Sequence, residues 1–409
     1  MHCTNRTFVT TMKTKIITRT IWILSLVSLF TDVASEMLYP VMPVFLRTIG
    51  FSFVLIGVLE GFAEAVAGLS KAYFGKRSDI TGKRLPFVQF GYALSAISKP
   101  MMAAFIYPLW IFFARTIDRL GKGLRTGARD AMLSDECTTE NKGKVFGFHR
   151  SMDTMGAVLG PSIALLYLYY NPANYKTLFI IAFFPGMIAI LFTLFIKEKK
   201  QQLRDIVPKE KKNLFVIFSY WKNGSQEYKR LLIGLLLFAT FNSSDVFLLL
   251  RMKESGLTDT AVIGVYIFYN LAFALLAYPI GILADKIGLK KVFLAGLFVF
   301  AIVYAGFAVN TNLIIFFVLF FLYGLYAAAT EGISKAWVSN IVNKNETATA
   351  IGTYTGLQSI CALLASSLTG FLWFRFGSVT TFIITACVTL LVILYLSRAP
   401  SKSPPIGKT

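Results

Sequence analysis

Apolar residues run along this 409-residue chain in stretches long enough to cross a lipid bilayer, and short polar segments separate them. A transmembrane helix needs about 20 consecutive, mostly apolar residues. Stretches of that size lie at 20–46, 51–73, 85–106, 108–130, 145–168 and 176–196, and again at 230–250, 259–284, 289–308, 312–336, 348–373 and 378–397. The pattern predicts an all-α membrane protein with twelve transmembrane helices in two pseudo-symmetric six-helix bundles.

One polar loop is repeated in the two halves of the chain. Gly75 begins G-x-x-x-D-x-x-G-K-R, and Gly281, 206 positions later, begins G-x-x-x-D-K-x-G-x-K-K. Each copy joins two apolar stretches, and Gly147 in span 5 similarly matches Gly352 in span 11. Internal repeats of this kind are typical of duplicated membrane transporters. We therefore expect two related units that enclose a central path.

The charges indicate how the chain lies in the membrane. Apolar residues make up 56% of the chain and charged residues 15%, below the roughly 25% of soluble proteins. The net charge of +20 comes from Lys and Arg that cluster in alternate loops. This placement follows the positive-inside rule of membrane proteins and argues against nucleic-acid binding. This places both repeated loops and both termini in the cytoplasm. The predicted units are a tail at 1–19, a bundle at 20–196, a linker at 197–229, a bundle at 230–397 and a tail at 398–409.

Cysteine and histidine usage argues against several other classes of function. Four cysteines without C-x-x-C spacing and two histidines predict no metal site, cofactor or disulfide framework. The sequence contains no G-x-x-x-x-G-K-[ST] loop, so an ATP-driven pump is not predicted. It also shows no nucleophile–base arrangement that would indicate an enzyme. The basic first twenty residues lack a cleavage pattern, so the first span is predicted to be an uncleaved anchor. Translation from Met12 is an alternative to Met1, because Met12–Lys15 resembles a start.

Charged residues inside the predicted spans are concentrated in the first half. Asp32 and Glu36 in span 1 lie at i, i+4 and share one helix face, and Glu60 and Glu64 repeat this spacing in span 2. An ionised side chain at bilayer depth costs at least about 2.5–3.5 kcal/mol, so these groups must pair or face a wet cavity. We interpret them as proton-coupling candidates, with Asp32 first, and a static salt-bridge network is the alternative. The full set is Asp32, Glu36, Glu60, Glu64, Arg115, Asp118, Arg119, His149 and Asp153.

The second half carries mostly polar and aromatic candidates inside its spans. These residue types suit recognition of a small-molecule substrate, whereas ordinary helix packing is the alternative. Glu331 and Lys335 in span 10 also lie at i, i+4, and a simple pair on one helix face is the alternative for these two residues. The substrate candidates are Tyr39, Asn242, Asp245, Tyr266, Tyr269, Asn270, Glu331 and Gln358.

Three motifs together resemble the major facilitator superfamily across nearly the whole chain. The repeated loop is similar to that superfamily's signature between spans 2 and 3 and between spans 8 and 9. Gly156–Pro161 in span 5 resembles the G-x-x-x-G-P element of its proton antiporters, which are mainly exporters, and Tyr39–Pro43 resembles the P-x-x-P of its drug-efflux branch. For Gly156, Gly160 and Pro161, close helix packing is an equal alternative to an antiport-specific role.

The resemblance implies that the repeated loop is a cytoplasmic latch that holds the outward-facing state and breaks during alternating access. Asp79 is then expected to pair with Arg125 or Arg129. Asp285 is expected to pair with Lys335, and the alternative for both aspartates is to face a helix N-terminus. The predicted latch residues are Gly75, Asp79, Gly82, Arg84, Arg125, Arg129, Asp285, Gly288 and Lys335.

Span 4 departs from the pattern of the superfamily. Arg115 occupies roughly the place of the family's span 4 arginine, which is linked to proton transfer. The following Asp118–Gly123 segment reads D-R-L-G-K-G in place of the usual R-x-x-Q-G-x-G run. Asp118 and Arg119 are suited to neutralise each other, and the remaining cations are suited to an anion site, because guanidinium groups hold carboxylates and phosphates bidentately.

The sequence therefore predicts a secondary carrier for a small organic solute, with proton-coupled export as the leading interpretation. Two alternatives stay open: a proton-coupled importer of an anionic metabolite or metal chelate such as a siderophore, and a non-transporting membrane receptor or sensor. The expected setting is a monomer in a bacterial cytoplasmic (inner) membrane. Its expected partners are the substrate, protons and the lipid bilayer, and not nucleic acid.

Overall fold

The protein is all helical in the part of the chain that its structure describes. A computed structural model gives the structure at residues 17–39, 41–42, 45–46, 49–50, 53–171, 174–198, 221, 224–257 and 259–398, without the side chains at 53–58, 60–61, 64–65, 259–260 and 263. No strand occurs in these ranges, which confirms the predicted all-α class. Most of the predicted linker, most of both tails, and Pro40 and Pro43 of the P-x-x-P pattern lie outside the described residues.

The first half forms α1 (Arg19–Glu36), α2 (Phe53–Thr81), α3 (Leu85–Ala104), α4 (Pro108–Asp135), α5 (Lys142–Tyr170) and α6 (Tyr175–Thr193). Local sequence sets several of their starts. The Thr18 hydroxyl accepts a hydrogen bond from the backbone N–H of Ile21 at α1, and α4 begins at a proline. Both α2 and α4 continue past their predicted spans, so the first repeated loop begins inside a helix.

The second half forms α7 (Gln226–Phe241), α8 (Val246–Glu254), α9 (Asp259–Ile287), α10 (Leu289–Val309), α11 (Leu313–Ile341) and α12 (Thr347–Leu396), with a 3₁₀ turn (Lys344–Glu346) before α12. The single span predicted at 230–250 is interrupted at 242–245, between α7 and α8. Within α12, Gly377 has non-helical backbone angles with φ of 82°. This residue lies between the last two predicted spans, at 348–373 and 378–397.

Seven segments of the described chain are long and apolar enough to cross a membrane. They are α5, α6, α7 together with α8, residues 264–287 of α9, α10, α11, and residues 344–396. Helix α1 is not among them because its eighteen residues include three charged side chains, Arg19, Asp32 and Glu36. The clustered charges of α4 likewise keep that helix out of the seven segments. The count of twelve spans stays a prediction.

The two halves meet mainly through two helix pairs, α2 with α12 and α5 with α9. A Cβ atom added to Gly147 of α5 would lie 2.5 Å from the carbonyl oxygen of Ala277, and one added to Gly352 of α12 would lie 2.5 Å from the carbonyl oxygen of Lys71. Such close backbone approach requires residues without a side chain. The matching glycines in the sequence thus mark one packing contact that occurs twice.

Candidate functional site

Carboxyl, hydroxyl and imidazole groups meet where α1 packs on α5. Ser28 Oγ donates a hydrogen bond to Asp153, and Asp32 of α1 lies within electrostatic range of the same carboxyl. One turn closer to the repeated loops, Ser25 Oγ lies 3.4 Å from Nδ1 of the buried His149. Two ionised carboxylates near each other repel, so a proton on one of them would be favoured here. The fold therefore brings three of the proton-coupling candidates to one interface.

The G-x-x-x-G-P segment of α5 packs against the same face of α1. A Cβ atom on Gly156 would lie 2.6 Å from the carbonyl oxygen of Leu29, and one on Gly160 would lie 2.7 Å from that of Val33. Pro161 follows inside α5, where its ring supplies no backbone N–H. Small residues spaced by four here allow close packing within the first half. An antiport-specific role for them stays a prediction.

Glu36 lies one turn beyond Asp32 on α1. It is within electrostatic range of Lys122 and Arg119 of α4. The side chain of Lys122 is exposed. The side chains of the other predicted pair, Glu60 and Glu64, lie outside the described residues.

Asp118 of α4 lies in a buried charge cluster. Its Oδ1 is 2.6 Å from Nζ of Lys99 on α3, and its Oδ2 is 3.6 Å from Nη1 of Arg115. The predicted local partner, Arg119, is thus not the nearest cation, because Lys99 arrives from another helix. The sequence analysis missed Lys99, although a single lysine inside the apolar stretch 85–106 was the signal that could have identified it.

An ion pair joins α4 of the first half to α11 of the second half. Lys335 Nζ lies 2.7 Å from Oδ2 of Asp130, whose side chain is fully buried. The other oxygen of Asp130 is 2.9 Å from Nη2 of Arg129, and Arg129 also donates to Ser28 Oγ at 3.2 Å. Asp130 was not among the predicted site residues, yet it connects the two halves and the α1–α5 interface.

A second ion pair between the halves involves Arg150 of α5. Its guanidinium pairs with Glu331 of α11 and with Asp153 of its own helix, and it lies 5.2 Å from the ring centre of Phe273 on α9. The local pair between Glu331 and Lys335, the alternative for these two residues, is therefore not the arrangement in the structure. Both side chains reach across to the first half, because packing brings stronger partners there than the neighbour one turn away.

The first copy of the repeated loop anchors the start of α12. Asp79 Oδ2 accepts hydrogen bonds from the backbone N–H and the hydroxyl of Thr349, each at 2.7 Å. Its Oδ1 lies 3.2 Å from Nη2 of Arg84, which also pairs with Asp135 and donates to the Lys344 carbonyl. Asp79 lies beyond the end of predicted span 2. Burial raises the pKa of its carboxyl to about 6, and the Arg84 charge and the Thr349 hydrogen bonds oppose this rise.

The second copy makes the corresponding contact at the start of α5. The two carboxylate oxygens of Asp285 accept hydrogen bonds from the backbone N–H groups of Gly143 and Lys144, each at 2.7 Å. Gly281 lies directly against the backbone of Gly143, as Gly75 lies against the start of α12. Each aspartate thus faces a helix N-terminus of the opposite half, where partial positive charge accumulates.

The cation partners predicted for these aspartates are not the ones in the structure. Arg125 instead donates to Ser95 Oγ at 2.6 Å, and its guanidinium lies 4.6 Å from the ring centre of Tyr92, within the first half. Arg129 and Lys335 meet at Asp130, as described above. The alternative prediction, an aspartate facing a helix N-terminus, agrees with both contacts.

Two glycines of the repeated loops adopt backbone angles that favour this residue. Gly82 has φ of 63° after α2, and Gly288 has φ of 103° between α9 and α10. L-amino acids with side chains rarely adopt such angles. The loops can therefore turn sharply, directly after the aspartate contacts.

The second half presents tyrosines and a helix break in place of buried ion pairs. Asp245 Oδ1 accepts a hydrogen bond from the Tyr323 hydroxyl at 2.7 Å, and Asn242 Nδ2 donates to the Tyr326 hydroxyl at 3.0 Å. Both residues lie in the interruption between α7 and α8. The rings of Tyr323 and Tyr326 are 5.2 Å apart, so they form a continuous aromatic wall behind the break.

Tyr266 extends this wall towards the first half. Its side chain is within electrostatic range of Asp245 and of Glu36 and Tyr39, which lie on and just after α1. The structure thus brings substrate candidates of the second half close to a proton-coupling candidate of the first.

The remaining substrate candidates are less directly placed. Tyr269 is buried, with its ring centre 5.0 Å from that of Tyr323, and Asn270 donates to the backbone carbonyl of Tyr266. Gln358 is half-buried on α12. Tyr269 and Asn270 therefore support the aromatic wall from behind, and their predicted substrate contacts stay a prediction.

Metal-binding chemistry is not assembled in the described side chains. They contain no group of three or more His, Cys, Asp or Glu placed to hold an ion. Cys137, Cys361 and Cys387 are free thiols. The chemistry available at the site is thus that of carboxyls, cations and aromatic rings.

Sequence comparisons give this chain clear relatives. A profile of the family described as Major Facilitator Superfamily matches residues 24–268 and 230–409. An uncharacterised MFS-type transporter of Methanocaldococcus jannaschii is 31% identical over 380 residues, which cover 90% of this chain and 93% of that protein. The multi-drug resistance efflux pump PmrA of Streptococcus pneumoniae is 25% identical over 293 residues, which cover 67% of this chain and 69% of the pump.

Solved structures with the same architecture include two transporters. The human organic anion transporter MFSD10 (TETRAN) superposes with a TM-score of 0.78 at 15% identity, covering 92% of this chain and 99% of that one. The transporter FucP in its outward conformation superposes with a TM-score of 0.72 at 12% identity, covering 94% and 100%. At this level of identity the likeness shows a shared fold and nothing about substrates.

Proposed function

Because this chain belongs to the Major Facilitator Superfamily and is an integral multi-pass membrane protein with that fold, we propose that it is a proton-coupled secondary carrier exporting a small organic solute. The observation that carries the proposal is the proximity of Asp32 and Asp153 at the α1–α5 interface, where Gly156 packs directly against Asp32 and Ser28 binds Asp153. Two carboxyls this close repel each other when both are ionised, so the pair is suited to hold one proton. Glu36 lies one turn beyond Asp32, within electrostatic range of the exposed Lys122, and offers a route for a proton to reach the pair.

Alternating access requires the halves to separate at the end where they now touch. Asp79 and Asp285 each bind a helix N-terminus of the opposite half there, and the two ion pairs of α11 add to this contact. We assign the closed end to the cytoplasm, because the positive-inside rule places the basic loops there. The carrier then has twelve spans and cytoplasmic termini, and acts as a monomer in a bacterial inner membrane.

Export is the direction that two observations favour. The G-x-x-x-G-P segment on α5 resembles the element of proton antiporters, which are mainly exporters. One relative over two thirds of the chain carries the name multi-drug resistance efflux pump. An antiporter of this kind would take up a proton from outside as it releases its solute.

Import of an anionic metabolite or chelate is the second candidate function. The exposed Lys122, with Arg119 nearby, is the observation that favours it. Against it, Arg115 and Arg129 of the same helix are already held by carboxylates. Overexpression separates the two directions, since export should increase tolerance to the solute and import should support growth on it.

Proteoliposomes with an imposed pH gradient test the proposed coupling. A thermal-shift screen of the detergent-purified chain against metabolites, drugs and chelators first identifies a solute, because a ligand of the folded state raises apparent stability. We expect the gradient to drive that solute, and Asp32→Asn to bind it but lose the response to the gradient.

Glu254→Gln is the matched control, since Glu254 binds Arg251 and Ser378 away from the α1–α5 interface. Its flux should follow the gradient as in the unmodified chain. Flux that ignores the gradient, and is unchanged in Asp32→Asn and Glu36→Gln, would contradict proton coupling.

A further inference from the structure

The break between α7 and α8 interrupts a segment that is otherwise long and apolar enough to span the membrane. At the end of α7, the carbonyl oxygens of Ala239, Thr240 and Phe241 accept no backbone hydrogen bond among the described residues. A helix C-terminus carries partial negative charge, and broken helices are a common place for ligand and ion sites in transporters. The end of α7 thus retains free backbone acceptors.

The side chains in the break also present acceptors. Asp245 is not used to cap α8, and its Oδ1 accepts from Tyr323. Asn242 uses its amide nitrogen on Tyr326, which leaves the buried Oδ1 without a partner in the described part of the chain. The Asn242 amide nitrogen and the Tyr323 hydroxyl are thus already used as donors within the protein, whereas the Asn242 Oδ1 acceptor remains.

The charge around Asp245 differs from that around the buried carboxylates of the first half. Asp118, Asp130 and Asp153 each have a basic side chain in direct contact. No lysine or arginine in the described residues pairs with Asp245, and its charged neighbour is another acid, Glu331. A carboxylate inside a membrane protein is expensive to leave without a counter-ion. The missing positive charge is therefore expected from a ligand.

Aromatic rings enclose this carboxylate. Tyr323 and Tyr326 form the wall behind it, and the half-buried Tyr266 lies on the side towards Glu36. Ring faces attract cations, and the attraction grows when water is excluded. Resting on the carrier function proposed above, we propose that the α7–α8 break binds an organic cation with N–H donors, and that Asp245 is its counter-ion.

Ethidium is a suitable probe because it is an aromatic cation with two amino groups, and fluorescein is an anion of similar size. Binding of each dye to the detergent-purified full chain is measured by fluorescence polarisation without a pH gradient. We expect saturable ethidium binding, weaker fluorescein binding, and a loss of ethidium affinity of about tenfold or more in Asp245→Asn. Glu254→Gln neutralises a carboxylate at the far end of α8 and should leave the ethidium affinity within about twofold of that of the unmodified chain. The tenfold loss expected for Asp245→Asn corresponds to about 1.4 kcal/mol.

Two further variants keep the test decisive if Asp245→Asn does not fold. Asn242→Leu removes the free acceptor and should weaken ethidium binding. Tyr323→Phe removes the donor that competes for Asp245 and should bind ethidium at least as tightly as the unmodified chain. Unchanged binding in Asp245→Asn or Asn242→Leu, tighter binding of fluorescein, or displacement of ethidium by sodium but not by choline would overturn the proposal.

The outcome is separable from that of the proposed transport. Ethidium binding that depends on Asp245, without flux of any solute in proteoliposomes, would leave the cation site standing and remove the carrier function. Gradient-driven flux of a neutral or anionic solute, with no ethidium binding, would leave the carrier and remove the cation site.

Discussion

The two copies of the repeated loop place an aspartate at the same point in each half and surround it with different charges. In the first copy, Asp79 pairs with Arg84, whose side chain is 2% exposed and which also pairs with Asp135. In the second copy, the position 206 residues after Arg84 is Lys290, which donates to the Ser397 carbonyl at the exposed surface. The repeat thus sets the contact between aspartate and helix N-terminus. The surroundings of each copy set how strongly that contact is reinforced.

Removing the basic residue from each copy of the repeated loop should give the largest difference in stability between the two copies. Arg84→Ala leaves the carboxylates of Asp79 and Asp135 without their shared cation. Breaking a buried pair costs about 3–5 kcal/mol, and we expect the lower end because Asp135 is 24% exposed and partly screened by water. Lys290→Ala should change the free energy of unfolding by less than about 0.5 kcal/mol. Thermal unfolding of both variants in detergent measures this, and equal losses would contradict the comparison.

The glycine contacts should behave alike in the two halves. Gly147→Ala and Gly352→Ala each place a methyl group 2.5 Å from a backbone carbonyl of the opposite half. Overpacking of this kind costs about 1–3 kcal/mol, so both variants should open the end that is now closed. Distances between spin labels on the two halves near the repeated loops report the opening.

Gly264→Ala is the control for this pair, because the added methyl group meets no neighbouring helix within 4 Å among the described residues. It should leave the label distances unchanged. An effect of only one of the two contact glycines would show that the halves are unequal in backbone packing as well as in charge.

The two ion pairs of α11 also differ in burial, and breaking them should have the smallest effects on stability. Lys335 contacts the fully buried Asp130, whereas Glu331 contacts Arg150, and those two side chains are 41% and 31% exposed. We expect Lys335→Gln to cost about 1.5 kcal/mol and Glu331→Gln less than about 1 kcal/mol. Spin-label distances between the halves, measured at increasing salt concentration, should show that the Arg150–Glu331 pair is more sensitive to salt than the Lys335–Asp130 pair. The reverse order would contradict the argument that burial protects an ion pair from screening.

Several parts of the site could be predicted from residue order alone. The repeated loop, its glycines and an aspartate facing a helix N-terminus follow from a short motif whose partners are backbone groups. Side-chain partners were predicted less well. Glu331 and Lys335 lie one turn apart and suggest a local pair, yet each finds its partner in the other half. Lys99 and Asp130 were missed because their importance depends on which helices pack beside them.

The sequence by itself determined that the chain is an all-helical membrane protein and that it is duplicated. Those properties depend on the length of apolar runs and on repeated short motifs, which act over a few residues. Only the tertiary structure decided which carboxyls lie near each other, which ion pairs cross between the halves and which carboxylate lacks a cation. Those properties depend on how each helix is rotated and what packs against it, and contacts between residues more than a hundred positions apart fix both.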